Sequence, residues 1–290
     1  MLEPEHLPPL QRAVSRESQR GQYVFIRLVA LRLALLLVAA VMGAVGWKLG
    51  ELALSAAIAA CSFAVASTIE AFLLANRPSQ RWYAGRAMSE SIKSLSWRFA
   101  VAAEPFPRSR GELECVEDFA GRLLGMSSDL GSAGLAAPSA SGQQITEEML
   151  ALRASPLAAR LEAYSKYRLQ KQRSWYADRS QWNRRQATRW SVALLVLEVA
   201  GVVFAVSRAA GITTADLLGI AAAAIAACAA WTQTRQHDVL ATAYALASQE
   251  LAAIASVTPR VTSELQMSQL VSDAEAAISR EHTMWRARRH

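Results

Sequence analysis

Four long apolar stretches, arranged as two close pairs, constrain this chain more than any other feature. Residues 23–47 (YVFIRLVALRLALLLVAAVMGAVGW) and 52–75 (LALSAAIAACSFAVASTIEAFLLA) are parted only by Lys48–Glu51. Residues 190–206 (WSVALLVLEVAGVVFAV) and 217–231 (LLGIAAAAIAACAAW) are parted by Ser207–Asp216. A helix needs about 20 largely apolar residues to cross the hydrocarbon of a bilayer. The first two stretches reach that length. The last two need their flanks, Thr188 on one side and Thr213 and Thr234 on the other. None contains proline. The competing reading is a soluble protein with buried Ala-rich helices. Composition weighs against it, because 52% of the residues are apolar and only 19% charged, where a soluble domain carries about 25% charge.

Links this short fold each pair back on itself. The expected fold is therefore all-α, an integral membrane protein with four transmembrane helices in two antiparallel hairpins above a helical, coiled-coil-like stem. Trp47, Trp190 and Trp231 fall at stretch ends, where interfacial aromatic belts lie. Lys and Arg are dense before 23–47 (Arg12, Arg16, Arg20), after 52–75 (Arg77 to Arg98), throughout 166–189, and after 217–231 (Arg235, Arg260). The tight links hold only Lys48 and Arg208. This bias places both termini and the long middle segment on the cytoplasmic side of the membrane. The first apolar run starts late and a second follows at once, which fits a cleaved signal peptide poorly. Three cysteines build no disulfide framework, and four scattered histidines make a metal site unexpected.

Punctuation divides the chain. Residues 1–22, with Pro4, Pro8 and Pro9, read as a flexible arm, and 23–125 as a first two-helix membrane module with cytoplasmic helices over 79–103 and 113–124. The Gly/Ser/Ala-rich stretch 126–144 reads as a linker, and 145–290 as a second two-helix module with a basic stem and a C-terminal helix over 263–288. Ser155-Pro156 marks a helix start, and nothing after it breaks the pattern before residue 206. One long helix is expected there.

That stem repeats Leu157, Leu161, Tyr164, Arg168, Gln172, Trp175, Arg179, Trp182, Gln186 and Trp190 at steps of three and four. A mixed aromatic and polar stripe suits packing on another helix, so Tyr164, Trp175, Tyr176 and Trp182 are the stem-packing candidates. Arg160–Arg189 also carries a net +7, equal to the excess of the whole chain. The charge reads as a solvated face that doubles as the orientation signal. It also reads as a site for anionic lipid headgroups or another phosphate-rich ligand, with Arg168, Lys171, Arg173, Arg184 and Arg185 as candidates. Nucleic acid is not expected, because such binding would need the stem free of lipid.

Within the apolar stretches, ionisable groups are expensive and mark partners, cavities or pores. Glu198 lies near the middle of 190–206, and faces a pore, makes an interhelical hydrogen bond, or is simply tolerated as exposed. Arg27 and Arg32 lie early in 23–47, where snorkelling to headgroups is the ordinary explanation. Glu70 is placed to pair with either. Ala56, Ala60 and Ala64, and again Ala222, Ala226 and Ala230, recur every fourth residue and permit close helix approach, within the chain or between subunits. No nucleotide-binding glycine loop, metalloprotease, nucleophile-elbow or C-x-x-C motif is present. Neither an enzyme nor a cofactor is expected.

The cytoplasmic helices carry a family likeness. RWYAGRAMSESIKSLSWRF (Arg81–Phe99), YSKYRLQKQRSWY (Tyr164–Tyr176) and AEAAISREHTMW (Ala274–Trp285) resemble motifs of the SLATT family, the SMODS- and SLOG-associating two-transmembrane effectors, in two tandem modules. The resemblance implies a bacterial anti-phage or conflict-system effector. It would homo-oligomerise in the inner membrane and open a pore when a separate nucleotide-sensing or signal-generating protein reports infection. The other reading is a non-conducting membrane scaffold whose stem recruits or senses a partner.

Overall fold

The computed structural model describes residues 2–49, 53–132, 142–212 and 217–287. Thr213, part of each tight link, part of the 126–144 linker and the side chains of the Arg280–Trp285 motif lie outside the described residues. What is described is helical, with no strand. Ten helices follow in order: α1 (Pro9–Ala44), α2 (Leu54–Asn76), α3 (Pro78–Ala100), α4 (Glu112–Ser132), α5 (Glu147–Ala154), α6 (Leu157–Tyr164), α7 (Lys171–Ala209), α8 (Leu217–Arg235), α9 (His237–Val257) and α10 (Glu264–Ala287). They fall into two compact units. Unit 1 holds Met1–Gly21, Ser79–Ser180 and Thr242–His290, and unit 2 holds Gln22–Pro78 and Gln181–Ala241.

Unit 1 has a core of its own around the end of α3. Phe99, Val101, Ala103, Phe106 and Phe119 are fully buried, and the three phenylalanine rings lie 5.1–6.0 Å apart. The last carbonyls of a helix lack intrahelical donors, and two arginines bond carbonyls at the end of α3 and in the turn beyond it. Arg153 donates to the Phe99 and Phe106 carbonyls (3.0 and 2.8 Å) and Arg160 to that of Val101 (2.7 Å). The first 22 residues are not a loose arm. They are helical from Pro9 and bury Leu7, Leu10 and Val14. Ser18 donates to the Trp82 carbonyl at 2.8 Å, and a Cβ at Gly85 would stand 3.0 Å from that of Ser18. Glycine lets α1 and α3 approach this closely.

Helix α4 runs on through Gly125 to Ser132, past the end expected for it. Ser155 closes α5, its hydroxyl donating to the Leu152 carbonyl at 2.6 Å, and Pro156 opens α6. The long helix that follows is not uniform, for Ser165–Gln170 winds as a π-helix. An α-turn brings Tyr164 and Arg168 onto one face. The wider turn brings Leu169 there as well, and all three are buried. The shift carries the buried line to Tyr176 and Asn183, while Trp175 and Trp182, one residue earlier, remain more than a third exposed.

Unit 2 contains the apolar helices. Four helices are long and apolar enough to cross a membrane, and only 6–17% of their apolar windows is buried within the chain. A soluble helical core would bury these faces, so their exposure counts against the alternative of buried Ala-rich helices. Contacts run in reverse order along the helices of each pair. Arg32 on α1 meets Glu70 on α2, and the Ser55 N–H at the start of α2 donates to the Trp47 carbonyl just beyond α1 at 3.4 Å. On α7, Asn183 meets His237, Trp190 meets Trp231 and Gly201 meets Ala221.

A repeat is visible in the backbone. Between α2 and α3 a single left-handed residue, Arg77 (φ 43°), donates its N–H to the Leu73 carbonyl at 3.0 Å. Between α8 and α9 Gln236 (φ 48°) does the same to Thr232 at 2.8 Å. A further helix and a proline-containing turn follow in both halves, and then a last helix, α4 or α10.

Candidate functional site

Two groups of polar side chains stand out, one in each unit. In unit 2 they lie within the apolar helices. The Arg32 guanidinium meets the Glu70 carboxylate at 2.6 Å, so of the two arginines open to Glu70 the deeper one takes it. The Arg27 guanidinium lies 4.9 Å from the Tyr23 ring centre, a cation–π position near the start of the stretch. Glu198 on α7 is exposed, with no hydrogen bond or ion pair among the described residues. By helical periodicity it sits at the rim of the face that puts Gly201 against Ala221. Beyond it lies an uncovered apolar face with Leu195, Val199, Val202 and Val206, each 55–63% exposed.

The alanine stripes do not form the contacts within the chain. Ala56, Ala60 and Ala64 are exposed, whereas α2 buries Ser55, Ser62, Ala66 and Ile69. On α8 Ala222 and Ala226 are exposed and Ala230 is half-buried, while Ala221 and Cys228 are buried. These stripes lie on surfaces the chain leaves open.

In unit 1 a charged network is buried. Arg168, expected among the anionic-ligand candidates, is only 1% exposed and cannot serve a solvent ligand. It donates to both oxygens of Glu275 (2.9 and 2.6 Å), and the Tyr164 hydroxyl donates to the same carboxylate at 3.0 Å. Glu90 stands 3.7 Å from Arg168. Burial opposes the Arg168 charge, but Glu275 outweighs it and raises the guanidinium pKa. Burial, and then Glu275, push the Tyr164 hydroxyl well above its usual value. Arg160, fully buried, pairs with Glu264 in the same manner. Sequence reading missed Arg153, Arg160, Glu264 and Glu275. The available signal was the spacing of Arg160 and Arg168, which returns both to the face of Tyr164.

The other basic candidates stay at the surface. Lys171, Arg173, Arg184 and Arg185 are exposed, and the Lys171 ammonium lies 5.3 Å from the Tyr167 ring centre. Trp175 packs edge-on against Tyr244 and Tyr176, and Trp182 against His237. A cleft of about 620 Å³ opens between α3, α4 and α10, with Glu90, Ser91, Arg98, Arg122, Glu275 and Ile278 in its lining. No group of His, Cys, Asp and Glu among the described residues is arranged to hold a metal ion.

These features define a class, a helical membrane protein of four candidate spans with ionisable groups inside them and a separately packed helical unit. Comparison with known families then places the chain. The family model of the SMODS and SLOG-associating 2TM effector domain 3 matches residues 8–161, and that of the SMODS and SLOG-associating 2TM effector domain 1 matches residues 164–285. The chain belongs to the SLATT family and is a tandem of two such domains. No curated protein and no solved structure matches it.

Proposed function

We propose that this protein is an oligomeric inner-membrane effector of a bacterial anti-phage or conflict system, one that permeabilises the membrane when triggered. The observation that carries the reading is Glu198, an exposed ionisable side chain midway along an apolar helix. Facing lipid it would cost roughly 2.5 kcal/mol or more. A second subunit or a water-filled space relieves that cost, and a pore lined by several copies supplies both. The exposed alanine stripes and the valine face of α7 offer surfaces for such copies. The reverse-order contacts support two antiparallel hairpins, and the Lys/Arg bias supports cytoplasmic termini and a cytoplasmic unit 1. The trigger reaches the chain from a separate nucleotide-sensing or signal-generating protein. The protein acts without catalysis.

A second reading, the non-conducting scaffold that senses or recruits a partner, draws on the cleft between α3, α4 and α10. Ion efflux from liposomes and membrane potential in expressing cells separate the two. The pore reading expects depolarisation and a particle with a central opening in images of the detergent-purified protein. A compact closed particle that never conducts would favour the scaffold.

A further inference from the structure

We propose that Glu198 makes the conducting pathway prefer inorganic monovalent cations to anions. The inference rests on the pore reading and adds its ion class. Four side chains of opposite sign decide the matter. Within the spanning stretches the described charged residues are Arg27, Arg32, Glu70 and Glu198. Arg32 is compensated by Glu70 at 2.6 Å, so this pair contributes almost no net field to a nearby pathway. Arg27 sits over Tyr23, at the end of its stretch where a long side chain reaches the headgroups. Glu198 alone keeps an uncompensated charge at depth.

The repeat sharpens the assignment. Aligning the two domains on Arg77 and Gln236, and on their helix contacts, brings the level of Glu198 in α7 to Leu36–Val38 in α1. The level of the Arg32–Glu70 pair falls on apolar residues in α7 and α8. One domain has thus paired its charges within the spans internally, and the other presents a lone carboxylate. A water-filled passage with low-dielectric walls focuses the field of such a group and raises the local concentration of counter-ions. Each further subunit adds another carboxylate at the same level, and among the described residues of the spans no cation is placed to cancel it.

The test uses the full chain in planar bilayers with a KCl gradient, reading the reversal potential. The wild type is expected to reverse near the potassium potential. Glu198→Gln should reduce the cation-to-anion permeability ratio by roughly tenfold, Glu198→Asp should keep it, and Glu198→Lys should turn it toward chloride. A wild-type channel that conducts without preference, prefers chloride or passes only protons overturns the assignment and leaves the pore reading standing, as does an unchanged ratio in Glu198→Gln. If Glu198→Gln fails to assemble, the wild-type reversal potential and Glu198→Asp still decide. A wild type that never conducts overturns both.

Discussion

Arg168 and Glu275 face each other across two hydrogen bonds, both side chains buried to within 1% of complete enclosure. The pair joins the π-helical turn before α7 to the middle of α10, and Tyr164 adds a third hydrogen bond to the same carboxylate. Charges this deep stabilise only when all their partners are present. Glu275→Ala would strand the guanidinium and should cost about 3–5 kcal/mol. Thermal unfolding of the detergent-solubilised chain measures this. The double change Arg168→Met with Glu275→Leu, which removes both charges and restores apolar volume, should recover most of the loss. A melting point indifferent to Glu275→Ala would show that the network carries no stability.

The Arg32–Glu70 pair should behave as a coupled unit in a different medium. Losing either partner leaves one charge among apolar helices. Arg32→Ala and Glu70→Ala should each lower membrane expression and thermal stability, and the double variant should be better than the sum of the two. The expected coupling is on the order of 0.5–3 kcal/mol. Exchange of the charges, Arg32→Glu with Glu70→Arg, should restore much of the wild-type yield. Strict additivity in the double-mutant cycle would mean that the contact contributes nothing.

Neighbouring aromatic residues on the stem should differ sharply. Tyr176 is fully buried and Trp175 is 38% exposed. Tyr176→Ala should cost about 3–5 kcal/mol, as full-size aromatic deletions in cores do, and Trp175→Ala less than half of that. Equal losses at the two positions, measured by the same thermal unfolding, would contradict the face that the π-turn sets.

That contrast marks where the sequence stops being readable. The four spanning helices are legible because length and apolar content alone decide them, and the break at Asn76-Arg77-Pro78 is written in the residues, whereas α3 stops at Ala100, short of the Pro105 expected to end it. The tandem of two SLATT domains was also readable, from aromatic and charged helix signatures. The π-turn was not. Ser165–Gln170 contains no glycine or proline, and its wider winding follows from packing Tyr164, Arg168 and Leu169 together, a tertiary demand. A one-residue displacement then moved burial from Trp175 to Tyr176. Arg168 misled for a related reason. Among eight cations from Lys166 to Arg189, nothing local distinguishes the one that meets Glu275, more than a hundred residues away. The N-terminal segment misled as well, since its prolines precede a helix whose apolar side finds a core elsewhere in the chain.

Arg77 and Gln236, the left-handed residues that follow the second helix of each pair, have a consequence for counting. They mark equivalent points in two copies carried on one polypeptide, so the copies are always supplied in equal number. Any assembly of this chain therefore contains an even number of two-helix repeats, and its carboxylates at the level of Glu198 are half as many as its repeats. Parity is fixed at translation, before any subunit meets another.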